Sequence, residues 1–201
     1  MTSEHPLLEG VASFSFGKLF VGVLCPQDFD IAPLVADLRQ IYGNLTLLGA
    51  NEPTFFSFDH TDYYAAEMGP GLRRFFVAID ALYDPEKLAE AKQKSCLLES
   101  KYMVNGSRKI NLDPGLLFLH NLILLSTKNF AHRIPLFGGI YGEVTLLYHN
   151  KKWESLPWTF PDYKGDDYKA LFTSLRRTYH AQLNKNPACS DLLSSPTINS
   201  F

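Results

Sequence analysis

The order of helix and strand patterns in the first half of the chain limits its fold most strongly. Residues 18–24 (KLFVGVL) are apolar at both alternating positions, which predicts a central strand buried on two faces. Apolar residues then recur at helical spacing over 31–42. Asp30 is the expected N-cap of this helix, and Gly43 is its expected C-terminal stop. The first predicted unit is therefore a strand followed by an amphipathic helix.

A second combination of strands and helix follows. Asp84 and Pro85 predict the start of a helix that runs to about residue 102, with Asp as the cap and Pro in the first turn. The segments that predict strands around these two helices are 45–48, 55–58, 73–82 and 108–112. The order strand, helix, strand, strand, helix, strand over 18–112 predicts a split βαβ, or ferredoxin-like, unit.

Short strands joined by tight turns are predicted for the second half. Gly138-Gly139 indicates a hairpin turn between two of them. The predicted strands cover 121–126, 132–137 and 140–149. In the last of these, the period of two predicts that one face carries Tyr141, Glu143, Thr145 and Leu147.

A C-terminal helix is expected to begin at Asp166, after an aromatic loop over 156–163. Its predicted apolar face consists of Tyr168, Leu171, Phe172, Leu175 and Tyr179. We therefore predict a single α+β domain over 17–185, in which a ferredoxin-like N-terminal part is extended by antiparallel strands and this helix. Residues 1–16 and 186–201 are expected to be tails, and the second to be flexible.

The charge balance and the absent motifs limit the possible functions. The chain has 19 basic and 21 acidic residues, a net charge of −2, which gives no general footprint for nucleic acid or a membrane surface. No apolar window reaches the ~18 residues of a membrane-spanning helix, and the N-terminus lacks the pattern of a secretory signal. Three cysteines without CxxC spacing are expected to be reduced thiols of a cytoplasmic protein. Phosphate-loop, GxGxxG, HExxH and GxSxG signatures are absent, so no metal, cofactor or reaction is indicated.

Four polar segments interrupt the apolar pattern and supply the candidate site residues. The first brings Tyr64, Glu67 and Arg73 close together in sequence, where they can frame an anion or a planar ring. The alternative, which we favour, is a loop in which Glu67 pairs with Arg73 or its neighbour for structure. The second is Asn-Leu-Asp-Pro-Gly at 111–115, which predicts a turn. Its functional interpretation makes Asp113 a ligand-binding or catalytic acid at the end of a strand.

The third segment, 126–133, combines Lys128, His132 and Arg133 between two apolar strands. A plain hairpin turn needs Gly, Asn or Asp and does not need these three residue types together. Lys and Arg are suited to hold a phosphate or carboxylate, and His is suited to act as an acid or base near neutral pH. A solvated hairpin tip is the alternative, and the sequence leaves both open.

The fourth segment joins the strand that contains Tyr141 and Glu143 to the loop that contains Trp158 and Asp162. If the hairpin closes, Glu143 lies opposite Arg133 or its neighbour, which gives either a site or a cross-strand ion pair. The ion pair is the simpler interpretation. The aromatic loop can form a lid over a pocket or cover the sheet, and covering is favoured.

These segments together resemble an uncharacterised bacterial family catalogued as domain of unknown function 4416. The resemblance spans about 18–180 and implies a stand-alone cytosolic protein of about this size, with no established activity, substrate or catalytic residues. Pro135 and Phe137 depart from the family pattern, and Phe160 stands where the pattern has Tyr, so a role for that hydroxyl is in doubt. The segments that carry the resemblance are 61–69, 111–115, 126–134, 139–145 and 158–163.

The concentration of ionisable residues predicts a site for a small anionic or nucleotide-like ligand. Whether the protein is an enzyme, and its oligomeric state, stay open. The expected catalytic residues are His132, Glu143 and Asp113. The expected ligand-binding residues are Lys128, Arg133, Tyr64, Glu67, Arg73, Tyr141, Trp158 and Asp162.

Two alternatives come from the 15 Phe, 10 Tyr and 2 Trp of the chain. A ferredoxin-like sheet with exposed aromatic rings could stack single-stranded RNA bases, although the charge balance makes nucleic acid unfavourable. An adaptor for a partner protein could use the aromatic loop or the last helix. The rings that suggest the RNA alternative are Phe55, Phe56, Phe58, Phe75 and Phe76.

Overall fold

The computed structural model describes residues 15–50, 53–59 and 64–185. The predicted C-terminal tail and nearly all of the N-terminal tail lie outside the described residues. The strands are β1 Lys18–Pro26, β2 Leu45–Leu47, β3 Phe56–Ser57, β4 Leu72–Ile79, β5 Asn111–Leu117, β6 Asn121–Ser126, β7 Ile134–Pro135, β8 Tyr141–His149 and β9 Lys152–Ser155. The helices are α1 Ala32–Tyr42, the single turn α2 Ala65–Met68, α3 Leu88–Lys101 and α4 Asp166–Lys185.

The signals that predicted the C-terminal end of α1 and the start of the 3-10 turn that leads into α3 are confirmed, while the N-cap of α1 is Ile31 and not the predicted Asp30. The Asp30 Oδ1 atom accepts a hydrogen bond of 3.0 Å from the Ala32 amide at the start of α1. Gly43 ends this helix with φ +87°, a conformation that favours glycine. The Asp84 Oδ1 atom accepts a hydrogen bond of 3.0 Å from the Glu86 amide in the turn that leads into α3.

All strand pairs of the nine-stranded sheet are antiparallel. The main order is β2-β4-β1-β5-β6-β8-β7, while β3 also pairs with β4 and β9 with β8. In the chain, α1 connects β1 to β2, and α3 connects β4 to β5. The structure therefore confirms an α+β fold with a large antiparallel sheet and a C-terminal helix.

Each face of the sheet is covered by its own apolar core. Val21, Phe75 and Leu116 belong to the core against α1 and α3. Phe20 and Phe76 belong to the core against α4, with the buried face of that helix. Because β1 lies between β4 and β5 and contributes to both cores, the prediction of a central strand buried on two faces is confirmed.

The predicted turn at 111–115 is wrong, because these residues lie inside β5. Gly22 of β1 is directly opposite Asp113, and pairing with β6 begins only at Gly115. Pro114, which has no amide hydrogen, thus lies where β5 pairs with β1 alone. A Cβ atom on Gly115 would lie 2.4 Å from the ring of Phe20. The two turn-forming residues thus have other roles here. Gly115 leaves room for the Phe20 ring, and Pro114 occupies a position where no amide is needed for pairing with β6.

The second half differs from the prediction at three places, the first being that β7 covers only Ile134–Pro135 of the strand predicted over 132–137. The register between β6 and β8 shifts at Leu122, which puts one additional residue, Thr145, into β8. This bulge places Leu146 in the α4 core and leaves Leu147 exposed, so Leu147 does not share the face of Glu143. The sequence interpretation also missed β9.

Candidate functional site

The α4 face of the sheet brings together residues from several of the polar segments. Gly115 is opposite Leu124, and Leu124 is opposite Glu143. Since directly opposite residues point to the same face and side chains alternate along a strand, Asp113 and Glu143 share the α4 face. These two carboxylates belong to two neighbouring polar clusters on that face.

The aromatic loop lies across both clusters. The Trp158 Nε1 atom donates a hydrogen bond of 2.8 Å to the Val144 carbonyl, and Thr159 Oγ1 donates one of 2.5 Å to the Thr145 carbonyl. Further along the loop, Asp162 Oδ2 lies 3.3 Å from the Arg74 guanidinium. These contacts fit the prediction that the loop covers the sheet. The loop also contributes side chains to each cluster.

The first cluster, which we call the Glu143 cluster, consists of Ser126, His132, Arg133, Glu143 and Trp158. The Glu143 carboxylate is buried, with 1% of the side chain exposed. Its Oε2 atom accepts a hydrogen bond of 2.7 Å from Arg133 Nε and lies 3.0 Å from His132 Nε2. One carboxylate oxygen thus holds two neighbouring side chains of the third polar segment.

Arg133 also fixes the loop that precedes it. Its Nη1 atom donates hydrogen bonds of 2.9 Å to Ser126 Oγ and of 2.9 Å to the Lys128 carbonyl. The Lys128 amide donates to Ser126 Oγ at 3.1 Å. Because a guanidinium offers five donors in a planar arrangement, one side chain can join the strand end, the loop and the buried carboxylate.

His132 lies between two aromatic rings. Its ring is stacked on the Trp158 indole, with centroids 5.1 Å apart and planes 10° apart. The Phe130 ring meets it edge-on at 5.2 Å. With Nε2 at Glu143, the Nδ1 atom of His132 accepts or donates no hydrogen bond within the described part of the chain. The imidazole is therefore oriented by a carboxylate on one nitrogen, an arrangement that suits proton transfer at the other.

The second cluster, which we call the Arg74 cluster, consists of Arg74, Lys92, Asn111, Asp113 and Asp162. The buried Arg74 guanidinium lies 3.4 Å from Asp113 Oδ2 and 3.3 Å from Asp162 Oδ2. Lys92 Nζ is 3.8 Å from Asp113 Oδ1, and Asn111 Nδ2 donates to Asp113 Oδ2 at 2.9 Å. Burial alone would lower the pKa of Arg74, but the charge of the two carboxylates outweighs it and raises the pKa.

Two charged side chains from α3 cover the part of β5 that β6 leaves unpaired. The Leu112 amide donates a hydrogen bond of 2.7 Å to Glu99 Oε1, and the Leu112 carbonyl accepts one of 2.7 Å from Lys92 Nζ. Burial raises the pKa of Glu99. The sequence interpretation missed this pair; the available signal was a Lys and a Glu seven positions apart on the predicted helix face that packs against the sheet.

The first polar segment forms an ion pair different from the one expected. Glu67 pairs with Arg108, whose Nη2 and Nε atoms donate to the carboxylate at 2.7 and 2.9 Å. These hydrogen bonds lower the pKa of Glu67. Arg108 also donates to Asn111 Oδ1 at 3.2 Å and lies over the Tyr64 ring at 6.0 Å. Tyr64 and Glu67 thus adjoin the Arg74 cluster and not the Glu143 cluster.

Three other predicted residues lie at different distances from the two clusters. Arg73 lies on the opposite face of the sheet, where it contacts the Phe55 ring at 4.0 Å, and it belongs to neither cluster. Tyr141 is half-buried and pairs with Ser126, next to the Glu143 cluster. Lys128 is exposed on the loop before His132.

Within the residues that the structure describes, no group of three or more His, Cys, Asp or Glu is arranged to hold a metal ion. No described helix is long and apolar enough to cross a membrane.

The fold and the two clusters define an α+β protein with charged side chains on one covered face of an antiparallel sheet. Residues 15–179 match the family described as Domain of unknown function (DUF4416), and the chain belongs to this family. Comparisons with curated proteins and with solved structures give no match.

Proposed function

We propose that the chain binds a small anionic or nucleotide-like ligand at the Glu143 cluster. The observation that supports this proposal most strongly is the buried Glu143 carboxylate, which holds His132 and Arg133 together beside Trp158. A hydrogen-bonded arginine and histidine next to a half-exposed indole are the groups that bind anions and planar rings. Holding them in place before the ligand arrives reduces the entropic cost of binding.

The local charge supports an anionic ligand. Arg133, which contacts Glu143, and the exposed Lys128 come from the same loop. This loop thus contributes two basic side chains in a chain with a net charge of −2. The stacked His132 and Trp158 rings add a flat surface that suits a planar group of the ligand.

His132 is the residue that we propose for proton transfer, if the bound ligand reacts. Glu143 would orient the ring, while Arg133 would neutralise negative charge that develops on the ligand.

For the fold, we propose a class that is finer than α+β. The partial strand order β2-β4-β1-β5, with α1 and α3 as connections, supports a ferredoxin-like N-terminal part.

A thermal-shift titration with inorganic phosphate, pyrophosphate and AMP tests the proposal. We expect at least one of them to raise the melting temperature of the wild type, because a ligand that binds only the folded state stabilises it. Arg177→Ala, which removes an exposed arginine of α4, is the matched control and should respond as the wild type does.

Arg133→Lys keeps a positive charge beside Glu143 while it removes the planar donors, and we expect it to weaken binding by about tenfold. His132→Gln tests the stacked ring separately. If none of the three compounds stabilises the wild type, or if both site variants respond as Arg177→Ala does, the proposed site is wrong.

The RNA alternative loses its main support. Phe75 and Phe76 have 0% of their surface exposed and Phe58 has 7%, so these rings cannot stack on bases.

The protein-interaction alternative is favoured by one observation, the exposed apolar side chains near the β7–β8 hairpin, of which Phe130 and Phe137 are 63% and 79% exposed. Self-association that Phe137→Ser abolishes in analytical ultracentrifugation would support it, and a monomer at all concentrations would count against it.

A further inference from the structure

A groove lies between α4 and the β2 end of the sheet. Its volume is ≈ 700 Å³, within the range of about 300–1,000 Å³ that is usual for small-molecule sites. The α4 residues that line it fall within 167–182, so it extends about 22 Å along the helix. Its apolar lining consists of Leu48, Phe56 and Ala78 on the sheet side, and Ala170, Leu171 and Leu175 on α4. Such a groove suits an extended apolar chain.

Lys18 is the unusual residue in the lining of this groove. It is only 2% exposed, yet it forms no ion pair with a carboxylate in the part of the chain that the structure describes. Lys92, which is also buried, differs because its Nζ atom lies 3.8 Å from Asp113 Oδ1. Since a buried charge is costly unless it is paired, Lys18 is a cation that lacks its counter-charge.

The hydrogen bonds of Lys18 are to neutral oxygens. Its Nζ atom donates at 2.8 Å to the Asp80 carbonyl and at 2.9 Å to Gln182 Oε1, which uses two of the three donors of the ammonium. The Asp80 carboxylate instead accepts a hydrogen bond of 2.8 Å from Thr46 Oγ1. Burial lowers the pKa of Lys18, and the charge of Asp80 raises it by a smaller amount. A negatively charged acceptor in the groove would therefore stabilise the ammonium better than the neutral oxygens do.

Gln182 gives the groove access to this ammonium. Lys18, Asp80 and Gln182 all line the groove, Asp80 is exposed, and Gln182 is half-buried. The Gln182 amide contacts only Lys18 and the Asp80 carbonyl, to which its Nε2 atom donates at 2.7 Å. Because this amide ends a flexible side chain, a carboxylate can take the place of Gln182 Oε1 without a change of the backbone.

We propose that this groove binds a carboxylic acid with an extended apolar chain, whose carboxylate pairs with Lys18. The apolar chain lies along α4, and the carboxylate supplies the charge that the buried ammonium lacks. The groove is at the opposite end of the sheet from the Glu143 cluster. The strand order from β2 to β8 contains five strand spacings, a separation of about 24 Å. The inference therefore does not depend on the ligand proposed for that cluster.

Isothermal titration calorimetry with decanoate, 1-decanol and decyltrimethylammonium tests the inference, with each compound below the concentration at which it forms micelles. The three compounds share one alkyl chain and differ in the charge of the head group. We expect decanoate to bind about tenfold more tightly than 1-decanol, the effect of one charge-assisted hydrogen bond. Decyltrimethylammonium should bind less tightly than decanoate, because its charge has the same sign as that of Lys18.

Two substitutions test the head-group position. Lys18→Met removes the ammonium and keeps an unbranched side chain, and it should abolish the advantage of decanoate over 1-decanol. Lys87→Met, which changes an exposed lysine outside the groove, is the matched control. Gln182→Ala keeps the ammonium and removes the neutral oxygen that competes for it, so it should bind decanoate at least as tightly as the wild type does.

A third substitution tests the groove itself. Ser174 is an exposed α4 residue in the lining, so Ser174→Phe puts a ring into the groove and should prevent binding of both decanoate and 1-decanol. Arg177→Phe, at an exposed α4 position outside the lining, is the control and should bind as the wild type does. Melting temperatures without ligand show whether each variant is folded.

The outcomes decide the inference separately from the proposed function. It is overturned if decanoate does not bind, if 1-decanol or decyltrimethylammonium binds as tightly as decanoate, or if folded Lys18→Met keeps the advantage of decanoate. It is also overturned if Ser174→Phe binds decanoate as Arg177→Phe does. None of these results changes the response to phosphate, pyrophosphate or AMP, on which the proposed function depends.

Discussion

Replacing Glu143 by glutamine tests the central feature of the Glu143 cluster. The substitution keeps the shape of the side chain and one oxygen acceptor, but it removes the charge that faces Arg133 Nε at 2.7 Å and His132 Nε2 at 3.0 Å. Hydrogen bonds to charged groups contribute about 1.5–3 kcal/mol each. We therefore expect the free energy of unfolding to fall by about 3 kcal/mol, since Arg133 then lacks its buried partner.

Urea denaturation at pH 7 measures this change, and thermal unfolding should show a decrease in melting temperature of about 6–12 °C for a domain of this size. Glu154→Gln is the matched control. Glu154 is 41% exposed and lies 3.7 Å from Lys152, so its loss should change stability by less than about 0.5 kcal/mol.

The double variant of Glu143→Gln with Arg133→Gln makes the test specific. If the two side chains stabilise each other, the double variant should be less destabilised than the two single changes added together. A loss below about 1 kcal/mol for Glu143→Gln, or strictly additive changes in the double variant, would refute the view that this carboxylate organises the cluster.

Two further changes test the strand and the ion pair beside the site. Gly115→Ala should lower the free energy of unfolding by about 1–3 kcal/mol in urea denaturation, because its Cβ would lie 2.7 Å from a backbone carbonyl oxygen. Gly142→Ala, whose Cβ would have no neighbour closer than 3.4 Å, is the control, and an equal loss in both variants would contradict the explanation. Glu67, whose pKa is lowered by Arg108, should stabilise the fold above the ordinary pKa of glutamate, and this stabilisation should disappear as the pH falls through the lowered value. The stability difference between the wild type and Glu67→Gln should thus narrow from pH 7 to pH 3, and a constant difference would exclude this role.

Several parts of the fold were predictable because they depend on residues close in sequence. The Asp30 side chain accepts a hydrogen bond from the first amide of α1, and the positive φ of Gly43 ends this helix. Gly138 and Gly139 have φ values of +60° and +78°, which form the predicted hairpin turn. The apolar repeat of α4 likewise gives the buried face that covers the sheet. In each case the physical cause acts within about one turn of the chain.

The candidate site was predictable only in its composition. The sequence pointed to His132, Arg133 and Glu143 as a charged group, and the register of β6 and β8 brings them together. It did not predict that Arg73 and Arg74, although adjacent, would lie on opposite faces with different partners. A strand alternates its side chains, so one residue of register decides which of two arginines enters a site.

The sequence by itself determined the alternation of strands and helices as far as α3, the C-terminal helix and the presence of an unusual set of ionisable side chains among aromatic ones. Only the tertiary structure decided the partners of these side chains. Glu67 pairs with Arg108, which is 41 positions away, and Asp113 lies inside a strand despite its turn-forming neighbours. Local signals depend on the backbone within a few residues, whereas an ion pair depends on the register of strands and helices that are distant in the chain. The free energy of burying both cores sets that register.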